Sequence, residues 1–210
     1  KYCAQPAQME TIMPKISLTD FVDVVAKVGR PKATKVRQVQ ERPDYEPAFD
    51  FYKALREHIA EVHKTTAGKS AVSEVLATLT DPKKIGNYSD LVAGYRKWWG
   101  KKEIGWFNPP RGVYTAAGFE IIVNPELGLV INGERHVVKL YLKNEKLTKF
   151  KTEIIIDLLE HQLRSKVSPS DKFAVLDVRE SKLFADGAHL PAALPIVNAE
   201  IAYIASIWSQ

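Results

Sequence analysis

Residues 124–139 read NPELGLVINGERHVVK and bring together the residue types that a phosphodiester-cleaving site uses. Such hydrolysis needs a divalent metal held by carboxylates on adjacent strands, plus a lysine that orients or activates the attacking water. A hairpin meets that need with few residues. Glu126 stands at the start of one strand, and the return strand carries Lys139. Side chains along a strand alternate with period two, which decides which of them share the cleft. Asn132-Gly133, between the two, is a strong signal for a two-residue turn.

These side chains need strands and helices to hold them. Leu127–Ile131 and residues 135–143 read as the two arms of the hairpin. In the second arm, strict alternation separates His136, Val138, Leu140 and Leu142 from Val137, Lys139, Tyr141 and Lys143. Residues 113–123 form one further strand, interrupted by Asn124-Pro125 and preceded by a rigid connection over residues 106–111 with Pro109-Pro110. A helix opens at Thr152 and runs to about residue 166, with Ile155, Leu158, Leu159 and Gln162 at helical spacing. Residues 172–178 are a strand, and residues 196–208 a closing, mostly apolar helix. The first hundred residues read as four helices. One starts at a Ser17/Asp20 capping box, and the second covers residues 47–63. The third is capped by Ser70 and stopped by Asp81-Pro82; the fourth is capped by Ser89 and carries Trp98 and Trp99 as anchors. Residues 30–47, with three prolines and many charges, read as a loop or arm.

The order of strand, Pro-acid, hairpin, strand with lysine, helix and strand resembles the PD-(D/E)XK nuclease superfamily over roughly residues 89–180. Pro125-Glu126 corresponds to its PD element, and Val137-Val138-Lys139 to its (D/E)XK element. The resemblance implies an α/β (α+β) fold: a helical region over residues 1–100 packed on a restriction endonuclease-like mixed sheet, flanked by helices, over residues 101–210. It implies Mg²⁺ at Glu126, with Lys139 positioning water. Val137 departs from the pattern, because the superfamily places its second metal-binding carboxylate there. Glu120 on the preceding strand, or Glu153 or Asp157 on the following helix, are the acids able to replace it. Arg135, Lys143, Lys146 and Lys149 are the expected phosphate contacts, with DNA favoured over RNA. Two alternatives stay open. Glu126 and Lys139 also suit a turn-flanking carboxylate and a solvated lysine, with Glu153 placed against the helix dipole. The chain also suits a non-catalytic interaction subunit, with the closing helix as a homodimer or partner surface.

Composition narrows the classes. The chain has 210 residues, 45% hydrophobic and 26% charged, with a net charge of +5. It is too apolar for a disordered tail, and it contains no apolar run long enough for a membrane span. The lone cysteine, Cys3, excludes an internal disulfide, and a cytoplasmic setting is expected. Basic residues gather in two windows, Lys27, Arg30, Lys32, Lys35, Arg37 and Arg42 in the first, and the region from Arg135 to Lys151 in the second. Other motifs fail on geometry. Gly68-Lys69-Ser70 lacks the strand and first glycine of a phosphate loop. His58 and His63 are five apart and diverge on a helix, so they read as partly exposed surface and not as a zinc pair. Gly29-Arg30-Pro31 is a helix-ending loop before it is a minor-groove arm. Ser181, Asp186 and His189 lack a nucleophile turn. The helix carrying Ser73, Glu74 and Thr78 has no arginine and makes a poor recognition helix.

Overall fold

A computed structural model of the chain describes residues 13–43, 50–185 and 193–209. Cys3, Asp186, His189 and the start of the helix expected from residue 47 lie outside these residues. The architecture is mixed α/β, with two sheets. Strands β2 (Ile104–Phe107), β5 (Leu127–Ile131), β6 (Glu134–Tyr141), β7 (Lys172–Asp177) and β8 (Lys182–Ala185) lie in that order in the larger sheet. β2, β5 and β6 pair antiparallel, and β7 joins β6 in parallel. Helix α5 (Lys149–Leu163) makes the crossover between β6 and β7 that a parallel pair requires. The smaller sheet has the order β1 (Lys15–Ser17), β4 (Phe119–Val123) and β3 (Gly112–Ala116), with β1 parallel to β4.

The large sheet is covered on both faces, and the alternation along its central strands sorts side chains between two cores. Val137 and Tyr141 of β6, with Phe173 and Val175 of β7, join a cluster with α1 (Leu18–Val25), α5 and α6 (Ala193–Trp208). Val138 and Leu140, with Ala174 and Leu176, join a second cluster with α3 (Lys53–Lys64), the 3-10 helix Lys69–Thr78 and α4 (Pro82–Trp99). Strands enclosed this way read as nearly continuous apolar runs. Residues from both sides of position 100 share each cluster. α6 buries Val197, Ile201 and Ile204 completely, while Ile196 and Tyr203 are exposed. No helix among the described residues is long and apolar enough to cross a membrane.

Several boundaries differ from the sequence reading, each for a local reason. Residues 30–47 are not simply an arm: α2 (Gly29–Gln40) occupies their first part. Pro31 falls in its first turn, where proline costs no hydrogen bond, and only Val36 is buried, so the apolar stripe is too thin to show as periodicity. Asp81-Pro82 starts a helix as well as stopping one. The Asp81 carboxylate accepts from the Lys83 N–H at 2.8 Å, and Pro82 enters the first turn of α4. Ser89 is therefore inside α4 and no cap; its hydroxyl donates to the Ile85 carbonyl at 2.8 Å. Ser70 likewise caps nothing, since the 3-10 helix follows Gly68 without a side-chain cap. Thr148 caps α5 by accepting from Lys151 N–H at 3.3 Å, so the helix begins at Lys149 instead of Thr152. The strand expected over residues 113–123 is a hairpin, β3–β4, turned at Ala117-Gly118. Both turn residues have positive φ, which is the conformation of a tight hairpin turn. Alanine at the first of them hides the signal that Asn132-Gly133 displays openly.

His58 is partly exposed as expected, and His63 is not. His58 Nε2 bonds the Ala71 carbonyl at 2.8 Å. His63 is buried, 2.6 Å from the Tyr95 hydroxyl and stacked on Trp99 at 4.4 Å, so the expectation of a partly exposed surface is corrected for it. Burial lowers the His63 pKa to about 4 and raises that of Tyr95 well above the usual phenol value. A histidine kept neutral in the fold but protonated near 6.5 when unfolded adds stability at neutral pH that is lost as pH falls from about 6.5 towards 4. Urea midpoints should therefore drop between about pH 7 and about pH 4.5, and drop less in His63→Gln. Gly94 of α4 is a close approach: a Cβ there would overlap the Val178 carbonyl. Gly94→Ala should lower stability by about 1–3 kcal/mol in denaturant unfolding, the usual cost of overpacking.

Candidate functional site

Glu126 and Lys139 meet at the base of the β5–β6 hairpin. The last register pair of these strands is Leu127 with Val138, so the next residues outward, Glu126 and Lys139, face each other where the ladder stops. Their side chains form an ion pair at 2.5 Å, with 13% and 11% of each exposed. Lys139 also donates to the Asn124 carbonyl at 3.2 Å. The second Glu126 oxygen accepts from the Leu140 N–H at 2.8 Å, supplying an acceptor just past the end of the ladder. Arg56 of α3 approaches Glu126 at 3.9 Å while binding Asp50 at 2.5 Å. A lysine of β6 is thus neutralised at the rim of the core, and both carboxylate oxygens of Glu126 are engaged in holding the fold.

The arrangement does not fit the expected Mg²⁺. That ion demands near-octahedral oxygen ligation and commonly draws on carboxylates to hold it. Val137, at the position of the second carboxylate, is fully buried among the apolar residues facing α5. Glu120 lies on β4 in the other sheet and pairs with Lys15 at 3.3 Å. Glu153, on α5, is buried and pairs with Lys149 at 3.5 Å, and Asp157 is buried one turn further on. No group of three His, Cys, Asp or Glu side chains among the described residues is placed to hold a metal ion. The structure brings Glu126 and Lys139 together as expected, and it gives Glu120 and Glu153 partners of their own in place of a shared metal.

The expected phosphate contacts are also largely committed. Arg135 binds Asp171, whose side chain is fully buried, at 3.0 Å, and lies 3.8 Å over the Phe107 ring. Lys143 pairs with Asp23. Lys149 is 85% exposed but pairs with Glu153. Lys146 alone of the four has no carboxylate partner among the described residues.

Sequence reasoning missed a network behind these lysines. Lys151 is buried against Glu145 at 3.0 Å, the Tyr141 hydroxyl at 3.4 Å and Asp23 at 3.6 Å. Burial opposes its charge, but the hydrogen bonds it donates to Glu145 and Tyr141 and the nearby Asp23 charge outweigh that, so its pKa is raised. The Lys151 ammonium correspondingly holds the Glu145 carboxyl below the usual range. Asp23 comes from α1, Tyr141 from β6 and Lys151 from α5, and no local pattern announces their meeting. A cavity of about 520 Å³ opens beside this network, with Lys27, Lys146 and Phe150 on its wall.

Replacing Glu126 tests its structural role. Glu126→Gln leaves the Lys139 ammonium buried without its counter-charge and should cost about 3 kcal/mol of unfolding free energy. The double variant Glu126→Gln/Lys139→Met should recover part of that loss, a non-additivity read from denaturant titrations. No model of a known protein family matches the chain, and no curated protein matches it either.

Proposed function

We propose that this chain is a nucleic-acid-binding protein on the PD-(D/E)XK nuclease plan, in which the acid and lysine of the hairpin serve the fold and not hydrolysis. The supporting observation is the arrangement around them. Helix α4 precedes a β2-β5-β6 meander, α5 crosses over to a parallel β7, and a Pro-Glu element meets the lysine of the return strand at the hairpin base. The order follows the resemblance from the Pro-Glu element onward; its first strand differs, since residues 113–123 form β3–β4 in the smaller sheet and β2 pairs with β5 instead. Loss of hydrolysis follows from the donor set: Val137 offers no oxygen, and Glu126 spends both of its own on Lys139 and Leu140. Nucleic acid as the partner, DNA before RNA, rests on the resemblance and on the basic surplus that the fold leaves outside its ion pairs.

Fluorescence anisotropy with labelled DNA at low salt should register binding, and the affinity should fall steeply with added salt as condensed counterions are released. Incubation with Mg²⁺ or Mn²⁺ should leave single-stranded and duplex DNA uncut. No association at low salt overturns the nucleic-acid reading. Cleavage that is abolished in Lys139→Gln, with the variant still folded, overturns the non-hydrolytic one.

A further inference from the structure

Around α1, α2 and α5 the fold pairs some basic residues and leaves others. Lys32 pairs with Glu200 at 2.7 Å, Arg42 with Asp20 at 3.0 Å, Lys143 with Asp23, and Lys151 with Glu145 and Asp23. Arg30, Lys35 and Lys146 have no carboxylate partner among the described residues, and Lys27 has only Glu145 at 3.9 Å. Cations without a carboxylate partner among the described residues stand elsewhere too, Lys83, Lys84, Lys97 and Lys101 among them, but those beside α2 and α5 line two adjoining depressions. Lys27, Arg30 and Lys35 line one groove along the exposed side of α2, which contains no acid and also presents Thr34 and Gln38. That groove shares Lys27 with the cavity of about 520 Å³ in front of α5, where Lys146 stands. The acids in that cavity, Asp23, Glu145 and Glu200, are the ones already engaged by lysines.

The same cavity carries an aromatic ring. Phe150, in the first turn of α5, is 36% exposed on its wall, and Val28, 80% exposed, borders it from the α1–α2 connection. A cavity of this size accommodates a ligand of nucleotide dimensions. An exposed aromatic beside free ammonium groups is the platform on which unpaired bases stack while lysines track the backbone. Base pairs in a duplex keep their faces covered by neighbours, so this combination suits an unpaired strand.

We propose that a single-stranded segment of nucleic acid binds along this surface. One phosphate sits between Lys27 and Lys146 with its base against Phe150, and the backbone continues along Lys27, Arg30 and Lys35 on α2. The proposal rests on the nucleic-acid reading and moves the contact away from the Glu126–Lys139 pair. It also replaces Arg135, Lys143 and Lys149, which are internally paired, as the principal phosphate contacts.

The full-length chain is titrated against a labelled thymidine oligonucleotide of about twelve residues, and against a duplex of equal length. Lys27→Glu, Lys146→Glu and Phe150→Ala are compared with Lys97→Glu, an exposed position on α4, which packs on the opposite face of the large sheet. The two charge reversals should each weaken single-strand binding about tenfold and lower the salt slope by about one per contact. Phe150→Ala should weaken it roughly fivefold or more and leave duplex binding within about twofold. Unchanged thermal midpoints establish that the variants fold. If the wild-type chain binds DNA but these variants match Lys97→Glu, or if the duplex binds as tightly as the single strand, the proposed surface is wrong and the nucleic-acid reading stands. If the wild-type chain binds neither DNA, both fall.

Discussion

The burial of β6 on both faces is the constraint from which the rest of the structure follows. From residue 136 onward this central strand is enclosed between two helical layers and has no solvent-facing side, so each side chain there must be apolar or be satisfied in place. Val137, Val138, Leu140 and Tyr141 satisfy the first condition, and they divide between the two cores by simple alternation. Lys139 requires the second. The hairpin meets it by ending the β5 ladder one residue early, so that Glu126 reaches Lys139 and the Leu140 N–H together. One carboxylate thereby solves two problems: an ammonium held at the rim of the core and a backbone donor beyond the last strand pair. Arg56 and Asp50 extend the compensation to α3 on the other side of the sheet.

Much of this was legible in the residues because it is local. The Asn132-Gly133 turn sets the β5–β6 register, and that register alone places Glu126 opposite Lys139. The Ser17/Asp20 cap, the α5 crossover and the anchoring role of Trp98 and Trp99 likewise rest on patterns within a few positions. What escaped reading is of two kinds. Short edge strands such as β1, β2 and β8 have three or four residues each, too few to establish a period, and they exist because a neighbouring strand offers them a ladder. Turn and cap chemistry is ambiguous where one residue serves either role: Asp81-Pro82 both stops and starts, and Ala117 takes a left-handed conformation without advertising it.

The candidate site divides along the same line. Glu126 and Lys139 could be paired from sequence because a hairpin joins them. The fates of Glu120 and Glu153 could not be read, because each depends on a chance of topology: one strand belongs to a second sheet, and one helix supplies a lysine a turn earlier than expected. Asp23 and Lys151 escaped for the same reason. They lie 128 positions apart in the chain and meet only because α1 and α5 pack on one face.

The distribution of charge follows from burial as well. Desolvating an ammonium is costly, so acids are positioned first where lysines are enclosed: Glu126 for Lys139, Asp23 and Glu145 for Lys151. Exposed lysines place no such demand on the fold, since water solvates them and a surface pair contributes little. The chain's excess of five positive charges is therefore driven outward, to positions where no acid is required for stability. Around α5 this leaves an electrostatic imbalance. Its first turn contains no acid and bears Lys149 and Lys151, with Lys146 just ahead, although the positive end of a helix dipole favours anions. Glu153 and Glu145 offset the first two. Lys146 and the neighbouring Lys27 have no comparable compensation, so an anion arriving at that end of α5 would relieve a repulsion that the folded chain, by itself, retains.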